Sequence, residues 1–531
     1  MRANPNPNCV LFPNERTGSG KNAAAPAGDL FLKMGPPTRE KPARTLGALG
    51  VAVLCFSAVA GGPFGIEPAV QNAGALPTLL SLVLVTLAWA CTQALMVAEL
   101  STMMPSNAGY IVWVFRGLGP AAGFTNAWLC TLQQVLNIPL YAVLACNSLE
   151  QLVGALSPGA EYGVKFAVVA AAAAVNVAGV ELVERVSGAM VLLVQTPFVL
   201  MPIAWAVRGR PFQWAALGAS VRGWDADFAV FLSTVCWNVQ GWNVVGNVAG
   251  EVARPSVNIP AGVGLACLLV ALNYLWPLAF TIPMSPPAAE YDPASSQWGA
   301  GFFVSIAQSA FAPLGVWAAL CAVLSCMSNF IPQLATSSRA LQATAAAGML
   351  PGARFSAAIA ASHPRFRTPV AAICAICGAV LCLVVLDFNT LVTTQILLAL
   401  AGLCLQFAAF LALKHREPGA RRPYAVPGGV AGAWALSLPF FALAALICFS
   451  NVASVQGYAS LGAVAGATLL LWAAGAWWAR RVDPQEVLRA LLPDGEGAGG
   501  GRGAPGGGAP SEGEGEQELL LAGGGSEGAE F

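Results

Sequence analysis

Apolar runs of about twenty residues alternate with short polar stretches along most of this chain. They start near residues 46, 77, 119, 162, 187, 227, 261, 311, 369, 390, 430 and 457. A run of that length spans the hydrocarbon core of a bilayer as a helix. The pattern therefore predicts an all-α membrane protein with about twelve transmembrane helices. Two runs depart from it. The first carries Gly61-Gly62-Pro63-Phe64-Gly65-Ile66-Glu67-Pro68 where a spanning helix should be most regular. Adjacent glycines and two prolines cannot hold a continuous helix. The sixth carries Cys236-Trp237-Asn238-Val239-Gln240-Gly241-Trp242-Asn243 and continues to Glu251 with two more glycines and Asn247. Open backbone at membrane depth is tolerated only where it lines a cavity or packs on protein. Paired breaks in corresponding places of two halves point to a midplane binding site. Spans one and six fit a five-plus-five inverted repeat, with two extra helices at the end.

Composition agrees: 56% of residues are hydrophobic and 10% charged, with a mean hydropathy of +0.66. Soluble domains carry roughly 25% charged residues. Formal net charge is zero, so bulk charge suggests no nucleic-acid partner. Three regions are expected: a cytoplasmic disordered segment 1–45, a transmembrane domain 46–481, and a disordered Gly-rich acidic tail 482–531. The start of the chain lacks a signal-peptide layout. Seven Lys and Arg residues precede the first span, from Arg2 to Arg44, and seven more, from Arg354 to Arg422, fall in loops on the same side. The positive-inside rule then puts both termini in the cytoplasm, with the plasma membrane as the expected location. Most of the fourteen cysteines lie within apolar runs and read as small hydrophobes. Cys374 and Cys377 spell CxxC without a second Cys/His pair, which reads as helix packing. In the tail, Glu516-Gln517-Glu518-Leu519-Leu520-Leu521 has the spacing of an acidic dileucine sorting signal.

The first-span segment Gly61 to Val70 resembles the amino acid–polyamine–organocation superfamily, and within it the plant and protozoan polyamine uptake branch. So do Ala98-Glu99-Leu100-Ser101-Thr102 and Pro105-Ser106-Asn107-Ala108-Gly109-Tyr110-Ile111-Val112-Trp113 around the second span, and Ala249-Gly250-Glu251-Val252 after the sixth. Weaker echoes are Gly348-Met349-Leu350-Pro351 and Arg422-Pro423-Tyr424-Ala425-Val426-Pro427. The resemblance implies a secondary transporter, in that branch a proton symporter. One departure stands out: the branch usually has Tyr-Trp-Asp where this chain has Gly241-Trp242-Asn243. A neutral amide thus replaces an acid expected near a cationic substrate.

Several residues are candidates for the chemistry. Gly61, Gly62 and Gly65 let a ligand approach open backbone, whose N–H groups suit a carboxylate. Glu67 is a carboxylate in a low-dielectric cavity, a candidate for proton uptake or for pairing with a substrate ammonium. Glu99 reads as a proton site, a gate partner or a structural hydrogen-bonding group. Glu251 and Arg254 are candidates for an inner-gate ion pair. Trp237 and Trp242 offer indole faces to an ammonium. Asn238, Gln240 and Asn243 can hydrogen-bond a substrate or cap the broken helix. Ser325 and Ser328, with Asn329, could hold a sodium ion against the first break. The only histidines, His363 and His415, fall in predicted loops.

The leading expectation is proton-coupled uptake of polyamines or amino acids by alternating access. A cationic amino-acid exchanger, a sodium-coupled amino-acid transporter and a non-transporting sensor are the alternatives. The expected partners are a small-molecule substrate, a proton and the lipid bilayer, with no cofactor. A disulfide-linked heavy chain is not expected, because the loop near Ser157 to Glu161 has no cysteine. The chain offers no nucleophile–base pair, phosphate loop or metal-ligand cluster, so an enzyme is not expected.

Overall fold

In lipid every backbone polar group needs a partner within the protein, so apolar runs fold as helices. The computed structural model describes residues 44–218, 228–285, 298–299, 301–386, 388–452 and 455–492. The first span comes as two pieces, α1 (Ala48–Val59) and α2 (Glu67–Ala73). The second is α3 (Ala75–Val85), a π-helical turn at Thr86–Cys91, and α4 (Thr92–Met103). A short connecting helix, α5 (Tyr110–Leu118), leads to α6 (Pro120–Val153), α7 (Pro158–Ala178) and α8 (Val180–Val207). The sixth span is α9 (Phe228–Asn238) followed by a 3-10 helix over Trp242–Glu251. Then come α10 (Pro255–Met284), the short α11 (Phe302–Ala310), α12 (Ala312–Ala346) and the short α13 (Ala353–Ala360). The remaining crossings are α14 (Val370–Leu383), α15 (Phe388–Arg416), α16 (Gly429–Val452) and α17 (Val455–Ala479).

Among the described residues nine helical stretches are long and apolar enough to cross a membrane. The two broken spans and α14 bring the crossings to twelve. An even number returns residues 44 and 492 to one face, called here the terminal face.

Burial separates centre from rim. In their most apolar stretches α12 is 72% buried and α6 and α15 are each 67% buried, against 11% for α17. The first three therefore form the middle of the bundle, and α17 turns its apolar side chains to lipid. The two broken spans are tied together at the terminal face. Thr45 and Leu46 N–H both donate to Glu251 O (3.0 and 3.1 Å), and Ala253 N–H donates to Leu46 O (2.9 Å).

One boundary differs from expectation. Residues 484–491, assigned above to a disordered tail, form an amphipathic helix, α18 (Pro484–Leu491), with Val487 and Leu491 buried. Asp483 caps it, accepting from Gln485 N–H at 2.9 Å. Ser106 Oγ donates to Leu491 O, docking the helix end beside α5. The apolar residues that drive this are few, and Gly-rich composition on their C-terminal side hides them. The dileucine-like stretch 516–521 and nearly all of segment 1–45 lie outside the described residues.

Candidate functional site

The first break owes its shape to glycine. Gly61 and Gly65 take φ values of +59° and +99°, where a side chain would be strained. The carbonyls at the end of α1 lack intrahelical partners. Side-chain amides of α12 meet them: Gln333 Nε2 donates to Ala58 O at 2.6 Å and Asn329 Nδ2 to Ala60 O at 3.2 Å. The packing is tight enough that a Cβ on Gly61 would collide with Asn329, and one on Gly62 with Ser325 Oγ. These two glycines therefore serve as the contact between the break and α12.

Glu67 is 1% exposed and starts α2. Its Oε2 accepts from Gly65 N–H at 2.6 Å. Backbone donors around an ionised oxygen are charge-assisted and strong. Glu67 is thus held by the chain's own backbone and does not border the cavity described below.

The second break begins where α9 ends at Asn238. Gly241, at φ +110°, turns the chain into the 3-10 helix. Ten residues of 3-10 helix far exceed the usual three or four, and such runs mark hinges or strain. The freed carbonyls again find side-chain donors. Tyr274 Oη donates to Asn238 O at 2.9 Å, and Trp242 Nε1 to Val239 O at 2.8 Å. Trp242 is fully buried in this capping role. Asn238 joins the two breaks, donating from Nδ2 to Gly65 O at 3.1 Å.

Between α6, the sixth span, α12 and α15 lies a cavity of about 20 Å³. That is room for roughly one water-sized group. Three expected residues reach its wall: Trp237, Gln240 and Asn243. The remaining polar wall consists of Gln133, Gln134, Asn137 and Tyr141 from α6 and Gln333 from α12, none of them foreseen. Trp237 Nε1 donates to Asn137 Oδ1 at 3.3 Å, and its ring stacks on Tyr141 with centroids 6.4 Å apart. Gln395 Oε1 accepts from both Gln133 and Gln240, each at 3.1 Å. Among the described residues no charged side chain lines this wall.

Toward the terminal face an ion pair forms, with other partners than expected. The expected Glu251–Arg254 pair does not form: Arg254 is exposed and at φ +43°. Glu251 instead pairs with Arg339 of α12, through Nε to Oε1 and through Nη2 to Oε2 at 3.2 Å. Asn107 Nδ2 adds a third donor to Oε1 at 2.9 Å, while its Oδ1 accepts from Gly250 N–H at 2.9 Å. Proximity in sequence favoured Arg254, but its backbone turns outward to start α10. On the opposite side three rings pack together. Phe64 of the break lies 5.3 Å from Phe198 and 6.0 Å from Phe303, centroid to centroid.

Glu99 sits away from the cavity, at the terminal-face end of α4. Its Oε2 is 2.8 Å from Lys414 Nζ and accepts from Val426 N–H at 2.7 Å. Arg422 Nε lies 2.9 Å from Oε1 as an ion pair, out of line for a hydrogen bond. This geometry clamps α4 to the segment between α15 and α16. Ser325 faces the first break, and Ser328 Oγ is buried without a hydrogen-bond partner among the described residues. Cys374 and Cys377 are free thiols on α14.

Two signals could have found the missed residues. Gln134, Asn137 and Tyr141 recur at helical spacing as a polar stripe in an otherwise apolar span. Arg339 is the lone cation of α12, about two turns before its end.

Comparison with known proteins agrees with this geometry. The Amino acid permease family profile matches residues 46–476. Polyamine transporter PUT1 of Oryza sativa subsp. japonica is 33% identical over 464 residues, 85% of this chain and 84% of that protein. Polyamine transporter RMV1 of Arabidopsis thaliana is 30% identical over 420 residues, 77% of this chain and 83% of that protein. With two broken spans joined by the Asn238–Gly65 bond, the second of them lining a small polar cavity, and a match across nearly the whole helical bundle, the chain belongs to the amino acid permease family of the amino acid–polyamine–organocation superfamily and is a multi-pass membrane transporter.

Proposed function

We propose that this protein takes up polyamines or amino acids together with protons, by alternating access, across the plasma membrane and with its terminal face in the cytoplasm. One observation carries the reading. The two interrupted spans join through Asn238 and Gly65, and the sixth lines an amide- and aromatic-walled cavity; in this reading Phe64–Phe198–Phe303 is the outer closure and Glu251–Arg339 the inner one. A cavity of this size cannot admit a whole substrate without widening, so binding requires the spans to move.

Glu67 is the proton carrier in this reading. Among the described residues no ion pair involves it, and the Gly65 N–H holds its charge. Protonation would cancel that charge and turn one acceptor oxygen into a donor. The bond from Gly65 N–H would then lose its charge assistance, which loosens the break. Glu99, gripped by Lys414 and Arg422, serves as a fixed clamp rather than a carrier. Glu251 with Arg339 is the inner gate. The two relatives, both named as polyamine transporters, support an amine substrate.

Uptake of a radiolabelled amine and amino-acid panel into proteoliposomes, at two pH values and with or without sodium, tests the proposal. Accumulation driven by an inward proton gradient is expected. Accumulation that follows sodium, exchange without net uptake, or binding without accumulation would each reject it in favour of a different mechanism.

A further inference from the structure

Two tallies of hydrogen-bonding groups at the midplane point the same way. The first concerns donors. A substrate carboxylate would need free N–H groups at the first break. Gly61 N–H donates to Phe56 O (3.3 Å), Gly62 N–H to Ala60 O (2.6 Å) and Gly65 N–H to Glu67 Oε2 (2.6 Å). Proline has no N–H, which removes Pro63. Within residues 61–65 that leaves Phe64, and one N–H is a poor match for two carboxylate oxygens.

The second concerns acceptors. Oε1 of Gln134, of Gln240 and of Gln333 is buried without a hydrogen-bond partner among the described residues. The three side chains are 3%, 7% and 3% exposed and share the wall of one small cavity. An unpaired buried amide oxygen is costly. Three acceptors match the three N–H groups of a primary ammonium, whereas a water brings two. The stacked rings of Trp237 and Tyr141 offer the adjoining alkyl carbon an apolar, cation-attracting face. Among the described residues no carboxylate lines the wall, so each additional positive charge would be desolvated there without a counter-charge.

We infer that Gln134, Gln240 and Gln333 form a neutral three-oxygen receptor for the head of a primary amine lacking a carboxylate, and that this receptor favours amines of low charge. The inference rests on the transport reading above and narrows its substrate class. Gln134 and Gln333 become specificity-determining residues, with Gln240 the third member.

Binding of radiolabelled putrescine to the full-length protein in nanodiscs is the test, with butylamine, spermine and ornithine as competitors. Ornithine differs from putrescine by its carboxylate and should compete at least about tenfold more weakly, the scale of an unmatched charged group. Butylamine should compete, and spermine should do no better than putrescine. Gln134→Leu and Gln240→Leu should each weaken putrescine by about tenfold, for loss of one hydrogen bond to a charged group. Gln134→Glu should restore binding and shift preference toward spermine, a rescue that a merely structural role would not produce. Ornithine matching putrescine, both leucine variants binding as the unmodified protein does, or sodium displacing putrescine would overturn the inference. Absence of any amine binding would overturn it too. Putrescine that binds in nanodiscs but never accumulates in proteoliposomes would instead reject transport while leaving the receptor intact.

Discussion

Arg339, about two turns from the end of α12, grips Glu251 at the end of the broken sixth span through both carboxylate oxygens. The contact joins a broken span to a central, mostly buried helix, and Asn107 braces it from the chain before α5. In the proposed mechanism this pair is the inner gate, shut while both charges are paired.

Removing one partner leaves the other buried and uncompensated, which costs about 3–5 kcal/mol. Arg339→Met and Glu251→Met should each lower the melting temperature of the purified protein sharply. The double variant should recover most of the loss, because no unpaired charge remains. A double variant no more stable than the worse single would mean that the pair is not the source of the effect.

Glu67→Gln should express and fold, since an amide oxygen can still accept from Gly65 N–H. A proton symporter takes up more substrate as external pH falls. The variant cannot exchange that proton, so its uptake should stay flat across the same pH range. An unchanged pH profile would remove Glu67 from the coupling role.

Asn243→Asp would place a carboxylate on an otherwise uncharged cavity wall. Preference for spermidine over arginine, read by competition against labelled putrescine, should rise by about tenfold, the scale of one added charge-assisted contact. Equal competition before and after would reject Asn243 as a selectivity residue.

Glu99→Gln should leave Lys414 and Arg422 facing each other across a neutral amide. Stability should fall by about 3 kcal/mol or more, as for any buried pair broken on one side. Substrate affinity, measured by putrescine binding, should be unchanged, because the clamp does not border the cavity. A loss of affinity without a loss of melting temperature would return Glu99 to the transport path.

Some local features were readable because the residues that cause them are adjacent. Gly61-Gly62-Pro63 follows the end of α1, and Gly241 turns the sixth span into its 3-10 helix, through backbone geometry that needs no distant partner. Trp237, Gln240 and Asn243 reach the cavity because they sit at that second break. Partner choice was less legible. Glu251 has Arg254 three residues away in sequence and Arg339 beside it in space, and the backbone turn at Arg254 decides between them. Glu67 reads as a cavity acid, yet the Gly65 N–H two residues before it turns it into the break's own ligand.

Hydrophobic run length and helix-breaking residues by themselves determined twelve crossings, two interruptions and their place in two halves, because a bilayer forces backbone pairing within each span. Only the packed structure decided which side chains complete the interruptions and which line the space between them. The amides of Asn329 and Gln333 come from α12, far along the chain from the break they serve, and Gln134 on the cavity wall comes from α6. Polar groups buried in lipid must find partners wherever the fold presents them, and that search runs through three dimensions rather than along the sequence.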